Sequence, residues 1–367
     1  MLLITTLSAG LISAFGSDGA GQVRAALADF ANAAPPAELA VLDDALSMAP
    51  FGPRVSAADP ASLAVALNRA AAGLNSSGGD GILIVGGPEI FPTWSIPNPV
   101  TDRSLDPDTA ILTDNPYGAR GSTAMSDWMV PALPIGRISA GAGASAASLC
   151  AVIGTLVSNH QKRPLRAGYV EFTNRDWQDI SFSVISDMPG PGRLLISPDD
   201  VVNASNTINL DARFLYCNLH GFNNDSAWKG FDAVRRTFVT AMSPQSFAAS
   251  AVGGSVIYTE ACYGLQTKGR PASGSCALTA LAAGAAAVVG ATGLAFGSLP
   301  GAPKNLIDAD AFAKGFFEAG LTAGSTAGAC LHKARTEFRA SCGPTPDVYA
   351  TKTLLQFQLL GDPTLAV

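Results

Sequence analysis

Val256-Ile257-Tyr258-Thr259-Glu260-Ala261-Cys262-Tyr263-Gly264 reads as a buried strand that ends on a cysteine, and Tyr216-Cys217-Asn218-Leu219-His220-Gly221 does the same for a histidine. Short, continuous apolar runs of this kind are strands covered on both faces, the pattern of a parallel sheet in an α/β protein. Ligands in such sheets bind beyond the carboxyl ends of the strands, so the two runs deliver an imidazole and a thiol to one edge. Taken singly, a cysteine on an apolar strand is ordinarily a small buried hydrophobe, and a lone histidine at a strand end is structural. Their conjunction reads differently. A thiolate is the attacking species in sulfur chemistry and needs a base or positive charge nearby to form at neutral pH. His220 is the natural supplier, and glycine follows it directly, as it follows Cys262 two positions on. A glycine lets a backbone N–H approach a developing oxyanion closely, so the amides of Gly221 and Cys262 are the expected oxyanion donors.

Working outward, strands and helices alternate. Strands are expected at 2–6, 38–42 and 81–85, with helices at 21–33 and 60–74 between them; Asp59-Pro60 is a good helix start, with aspartate as N-cap and proline in the first turn. Residues 86–134 form a long stretch rich in Pro, Asp, Asn and Ser, with Trp94, Tyr117 and Trp128 embedded, which reads as an ordered, surface-shaping loop. A helix over 145–160 leads to further strands at 168–172, 193–196, 214–218, 255–259 and 286–291. Helices at 309–319 and 325–339 follow, and the chain closes on a turn at Gly361-Asp362-Pro363. The pattern predicts a mostly parallel sheet with helices on both faces.

The 367 residues suffice for a large core, and 14% charged residues with 38 glycines is an enzyme-like composition. A net charge of −6, with only the short basic segment 161–166, leaves little footprint for nucleic acid or an anionic membrane, and neither is expected as a partner. The opening apolar run lacks a basic flank and reads as a strand, not a signal peptide, while glycines at 284, 290 and 293 break up the apolar 278–295 region. Six scattered cysteines without a CxxC pair read as reduced thiols, which points to a cytoplasmic location. The three histidines and the cysteines offer no metal-spaced cluster, and no cofactor fingerprint occurs. Asp102, Asp106, Asp108 and Asp114 are oxygen donors for a structural calcium ion, or else acids of a solvated loop.

Several segments, in order, resemble the gingipain-like cysteine peptidases of the caspase, legumain and separase clan. They are Gly81 to Pro92 (GILIVGGPEIFP), Pro134-Ile135-Gly136-Arg137-Ile138, Leu219-His220-Gly221, Glu260-Ala261-Cys262-Tyr263-Gly264, Gly284 to Gly293 (GAAAVVGATG) and Leu360-Gly361-Asp362-Pro363-Thr364-Leu365. The 42-residue interval between His220 and Cys262 also suits the caspase spacing. The resemblance implies a caspase-haemoglobinase-like three-layer α/β sandwich of two adjoining subdomains, 1–140 with the long loop 86–134, and a catalytic 141–367. It implies a cysteine endopeptidase that acts on protein or peptide substrates through a thioester, with Cys262 as nucleophile and His220 protonating the leaving amine.

Relatives of this kind often add an acid that orients the histidine and another in the specificity pocket. Glu171 is the candidate for the first role, and Asp176 and Asp179 for binding a basic P1 residue, or else these are surface acids of a loop; Trp228 and Phe296 are candidate pocket walls, or else plain core. No following immunoglobulin-like module and no prosegment is apparent, which suggests an intracellular enzyme under the control of an activating protein or an upstream protease. The polar stretch 266–274 is the candidate activation segment. A peptide-binding or regulatory module with little turnover is the alternative; a redox or acyl-transfer enzyme lacks a resolving cysteine near Cys262.

Overall fold

The computed structural model describes residues 1–34, 36–75, 79–162, 166–201, 208–301 and 305–367; residues 163–165 of the basic segment lie outside them. The strands are β1 (Leu2–Thr6), β2 (Ala37–Val41), β3 (Gly81–Val85), β4 (Trp94–Pro97), β5 (Ala110–Thr113), β6 (Ile135–Ile138), β7 (Tyr169–Asn174), β8 (Gly192–Ser197), β9 (Phe214–Asn218), β10 (Trp228–Asp232), β11 (Thr237–Met242), β12 (Val256–Thr259), β13 (Ala287–Ala291) and β14 (Phe357–Gly361). The helices are α1 (Ser8–Ala33), α2 (Ala45–Met48), α3 (Pro60–Ala70), α4 (Met125–Met129), α5 (Ala146–Lys162), α6 (Gln178–Ile185), α7 (Pro244–Ala248), α8 (Cys276–Ala282), α9 (Asp308–Gly320), α10 (Ala327–Ser341) and α11 (Val348–Gln356).

Ten strands make one sheet in the order β2-β1-β3-β6-β14-β13-β12-β9-β7-β8. The last strand of the chain, β14, sits in its middle: it runs antiparallel to β13 and meets β6 through the single pair Leu360 and Arg137. The other neighbouring pairs are parallel. Strand side chains alternate between faces, and the cores follow that alternation. Leu215, Cys217, Ile257 and Val288 pack with residues of α5, α7 and α8 on one face, and Phe214, Tyr216, Val256, Tyr258 and Val289 with α6, α9, α10 and α11 on the other. Among the first strands, Leu2, Ile4, Leu83 and Val85 meet α1 while Leu3, Ile82 and Ile84 meet α3. The result is the mixed α/β sandwich that the alternation predicts.

Strands expected at 2–6, 81–85 and 214–218 coincide with β1, β3 and β9, and Asp59 caps α3 by accepting from the Ser62 amide. Three segments differ from expectation. The first helix starts at Ser8, kinked at Gly16 where φ is 70°, so the apolar opening continues from strand straight into helix. The stretch 86–134 carries its own structure: the β4–β5 hairpin, a turn of 3-10 helix at Asn115–Gly118 and α4, with Trp94 packed on Trp128 at 5.3 Å. At the C-terminal end, α11 runs into β14 with no turn residue between Gln356 and Phe357, which left nothing in the sequence to punctuate either element.

The four aspartates of the long stretch face cations and backbone rather than one another. Asp106 and Asp108 both take Lys352 of α11, Asp114 takes Arg137 in a two-bond pair at 2.7 Å, and Asp102 accepts from the Ser104 amide. No group of three or more His, Cys, Asp or Glu side chains suited to a metal ion occurs among the described residues. No helix among them is long and apolar enough to cross a membrane.

Candidate active site

β9 and β12 pair in parallel, from Phe214 beside Val256 to Cys217 beside Thr259, so the chain leaves both strands at one edge. The Glu260 amide extends this pairing by donating to the Cys217 carbonyl at 2.9 Å. Beyond β9, His220 exchanges two backbone hydrogen bonds with Lys229 of β10, at 2.7 and 2.8 Å, which anchors the β10–β11 hairpin over the edge. Beyond β12, Cys262 is half-buried, and Tyr263 turns the chain with φ at 58°, a left-handed conformation uncommon for a bulky residue. The Ala295 amide lies 3.3 Å from the Cys262 Sγ, and the Ala295 carbonyl oxygen lies 3.5 Å from it.

Cys262 and His220 line one cavity of about 530 Å³. The imidazole is held by rings: Trp177 at 4.3 Å between centroids, and Phe238 of the hairpin edge-on at 5.0 Å. Burial pushes its pKa down to about 4, with the Asp176 carboxylate pulling weakly the other way. Burial pushes the Cys262 thiol up, opposed by the Ala295 backbone and by the charge of Lys352. Burial thus favours the uncharged form of both the imidazole and the thiol that line this cavity.

Farther along the same cavity, Glu260 and Asp310 form a buried acidic pair. Asp310 accepts from Asn218 Nδ2 at 3.2 Å and from the Ser298 amide, and Glu260 accepts from the Tyr216 hydroxyl. Burial raises both carboxyls, and the Asp310 charge raises Glu260 further, well above the carboxylate range. Like charges at one site disfavour the ionised form of each other, and the larger upward shift falls on Glu260.

The sequence candidates divide. Gly221 runs against the Cys262 peptide, as a shared turn requires. Asp176 and Phe296 line the cavity, Asp176 exposed at its rim and Phe296 packed edge-on against Tyr349 at 4.7 Å. Asp179 is exposed in the first turn of α6 and does not line it. Trp228, the first residue of β10, is 3% exposed and edge-on to Phe247; it does not line this cavity but borders a small neighbouring one with Gly221 and Cys262. Glu171 is a correction: it lies beside Tyr216 in the sheet, buried outside the cavity lining, with Oε1 unpartnered and its pKa raised to about 8 by burial. The carboxylate that acts on the His220 ring is Asp176. Sequence reasoning missed Trp177, Phe238 and the acidic pair; Glu260 was visible two residues before Cys262, whereas Asp310 reaches the cavity from α9 and has no local signal.

No curated protein matches the chain. A solved structure described only as that of a protease aligns over 100% of this chain and 77% of its own, with a TM-score of 0.64 and 14% identity, which is a likeness of fold. A separase from Saccharomyces cerevisiae, solved with securin, aligns over 62% of this chain and 14% of its own at a TM-score of 0.40 and 14% identity. The family model of peptidase family C25 matches residues 186–367. That half of the chain, which carries His220 and Cys262 at the edge of the sheet, belongs to peptidase family C25, the gingipain family of cysteine peptidases.

Proposed function

We propose that the chain is a cysteine endopeptidase that cleaves protein substrates after an arginine or lysine. The observation that carries the reading is the cavity itself, whose lining includes Cys262, His220 and the buried Glu260–Asp310 pair. In this reaction the Cys262 Sγ attacks the scissile carbonyl carbon while its proton passes to the His220 ring. The oxyanion is received by the amides of Gly221 and Cys262. The carbon–nitrogen bond then breaks, His220 gives the proton to the leaving amine, and a thioester remains on Cys262. Water activated by His220 hydrolyses the thioester and restores the thiol.

The acidic pair supports the basic preference. A guanidinium or ammonium group entering the cavity favours the ionised form of both carboxyls, giving a charge-assisted contact inside a desolvated site. Asp176 at the rim adds negative charge along the entry path, whereas Asp179 does not line it. Control by a partner or an upstream protease would act through segment 266–274, which Arg270 ties down by bonds to Gln266, to the Asp225 carbonyl and to the Asn223 carbonyl. All six cysteines are free thiols, which suits a reducing compartment.

A second reading, a peptide-binding or regulatory module with little turnover, draws on one observation: burial holds both His220 and Cys262 neutral. A positional-scanning fluorogenic peptide library, run on the wild type and on Cys262→Ala with and without iodoacetamide, separates the two. Cleavage after Arg or Lys that disappears in Cys262→Ala supports the endopeptidase. A silent wild type that still binds the peptides supports the module.

A further inference from the structure

Asp108 belongs to the segment between β4 and β5, far from Cys262 in sequence, yet its carboxylate is bonded on both sides of the sulfur. Oδ1 accepts from the Tyr263 hydroxyl at 2.8 Å, and Oδ2 accepts from the Leu294 amide at 2.8 Å. Tyr263 follows the thiol and holds the left-handed φ of 58°, a conformation that a tyrosine keeps only when its surroundings fix it. Leu294 precedes Ala295, whose amide faces Sγ at 3.3 Å. The Tyr263 amide also donates to the Gly293 carbonyl at 2.8 Å, so the two segments flanking the sulfur are tied to each other as well as to Asp108.

The carboxylate is itself held in place. Lys352 Nζ, fully buried on α11, stands 3.3 Å from Asp108 Oδ2 and pairs with the fully buried Asp106. Gly293 makes the approach possible, since a Cβ there would lie 2.6 Å from Asp108 Oδ2. Asp108 does not line the cavity.

We propose that Asp108 is a positioning residue for the peptidase reaction: by gathering the Tyr263 hydroxyl and the Leu294 amide on one carboxylate pinned by Lys352, it fixes Cys262 Sγ between the oxyanion turn and the Ala295 amide. The proposal rests on Cys262 as nucleophile. Its consequence is that the 86–134 stretch completes the catalytic geometry of the other half of the chain. The titratable and charged groups around Cys262 are His220, Asp176, Glu260 and Asp310 along the cavity, Asp225, Arg270 and Cys276 around the small neighbouring cavity, and Tyr263, Asp108, Asp106 and Lys352 behind it.

Two variants test this, Asp108→Asn and Tyr263→Phe, with kcat, KM, thermal midpoint and the pH dependence of Cys262 alkylation by iodoacetamide as readouts. Tyr263→Phe loses the hydroxyl bond outright, and Asp108→Asn replaces a carboxylate that accepts on both oxygens with an amide that has one acceptor oxygen and no charge, so kcat is expected to fall about 10- to 100-fold with KM within about twofold, the size of effect a displaced reacting atom produces. Only Asp108→Asn removes a negative charge and leaves Lys352 less compensated, so only in that variant does the alkylation midpoint move to lower pH. A merely structural role would not separate the two variants in this way. Should Asp108→Asn fail to fold, Tyr263→Phe decides alone. Wild-type kcat in Tyr263→Phe, or a loss of kcat in Asp108→Asn with an unmoved alkylation profile, overturns the proposal. Full activity in Cys262→Ala would instead sink the nucleophile assignment beneath it.

Discussion

Gly221 and Cys262 approach so closely that a Cβ on Gly221 would stand 1.9 Å from the Cys262 carbonyl oxygen and 3.1 Å from its amide nitrogen. Both obstructing atoms are backbone, so no rotamer change relieves the overlap. Gly221→Ala is therefore expected to push the two turns apart and misplace the oxyanion donors. The predicted loss in kcat is about 100-fold or more, the scale on which an oxyanion donor is felt. Steady-state kinetics on folded Gly221→Ala protein checks this; activity within a few-fold of wild type would show that the donors lie elsewhere.

His220 supplies a second prediction through its pKa of about 4. The unfolded chain binds a proton on this residue below about 6.5 and the folded chain only below about 4, so between those values protons favour unfolding. Stability should fall as pH drops through that window, and replacing His220 should remove the effect. Comparing urea midpoints of the wild type and His220→Ala at pH 7.5 and pH 4.5, we expect the wild type to lose about 2 kcal/mol more on acidification, a figure reduced for the ring's partial exposure. Parallel losses in the two proteins would mean that the ring is charged in the fold.

How far the sequence disclosed this arrangement depends on which interactions are local. The strands ending near His220 and Cys262 were legible because a short apolar run closed by Gly221 or Gly264 needs no distant partner to be recognised. The Asp59 cap of α3 was legible for the same reason. Asp310 and Lys352 were not, because each reaches the site from a helix whose own periodicity says only that one face is buried. Glu171 shows the limit from the other side. Its alternation in β7 was readable, but which residues pack around it is a property of the sheet order, and that order places it beside Tyr216 rather than beside His220. The aspartates of the long stretch were equally visible, yet their partners Arg137 and Lys352 come from β6 and α11.

Glu171 should therefore matter to stability and not to catalysis. Burial without a partner for Oε1 raises its pKa from 4.5 to about 8, so the unfolded chain ionises first as pH rises. Folding stability is expected to decline from about pH 4.5 to pH 8 on this account and to level off above. Glu171→Gln escapes the decline: it should match the wild type at pH 4 and exceed it by roughly 2–4 kcal/mol at pH 8.5. Chemical denaturation at the two pH values measures the difference. A drop in kcat above about tenfold in Glu171→Gln would restore a catalytic role to this carboxylate.

The acidic pair in the cavity gives the sharpest test of substrate preference. Burial and the Asp310 charge raise Glu260 further than burial raises Asp310, so the two carboxyls do not contribute equally. In Asp310→Asn a basic side chain must rely on ionising Glu260 against its own burial. In Glu260→Gln it still meets Asp310, the carboxyl less strongly raised. Selectivity measured as kcat/KM for an arginine substrate over its neutral citrulline analogue should fall in both variants, and further in Asp310→Asn. A hydrogen bond to a charged group is worth about 1.5–3 kcal/mol, so the expected fall is of order 10- to 100-fold. Unchanged kcat/KM for both substrates in both variants would place the specificity pocket outside this cavity, whereas an equal fall for the two substrates, with selectivity kept, would make the pair a structural support for Asn218 and Ser298 instead of a reader of charge.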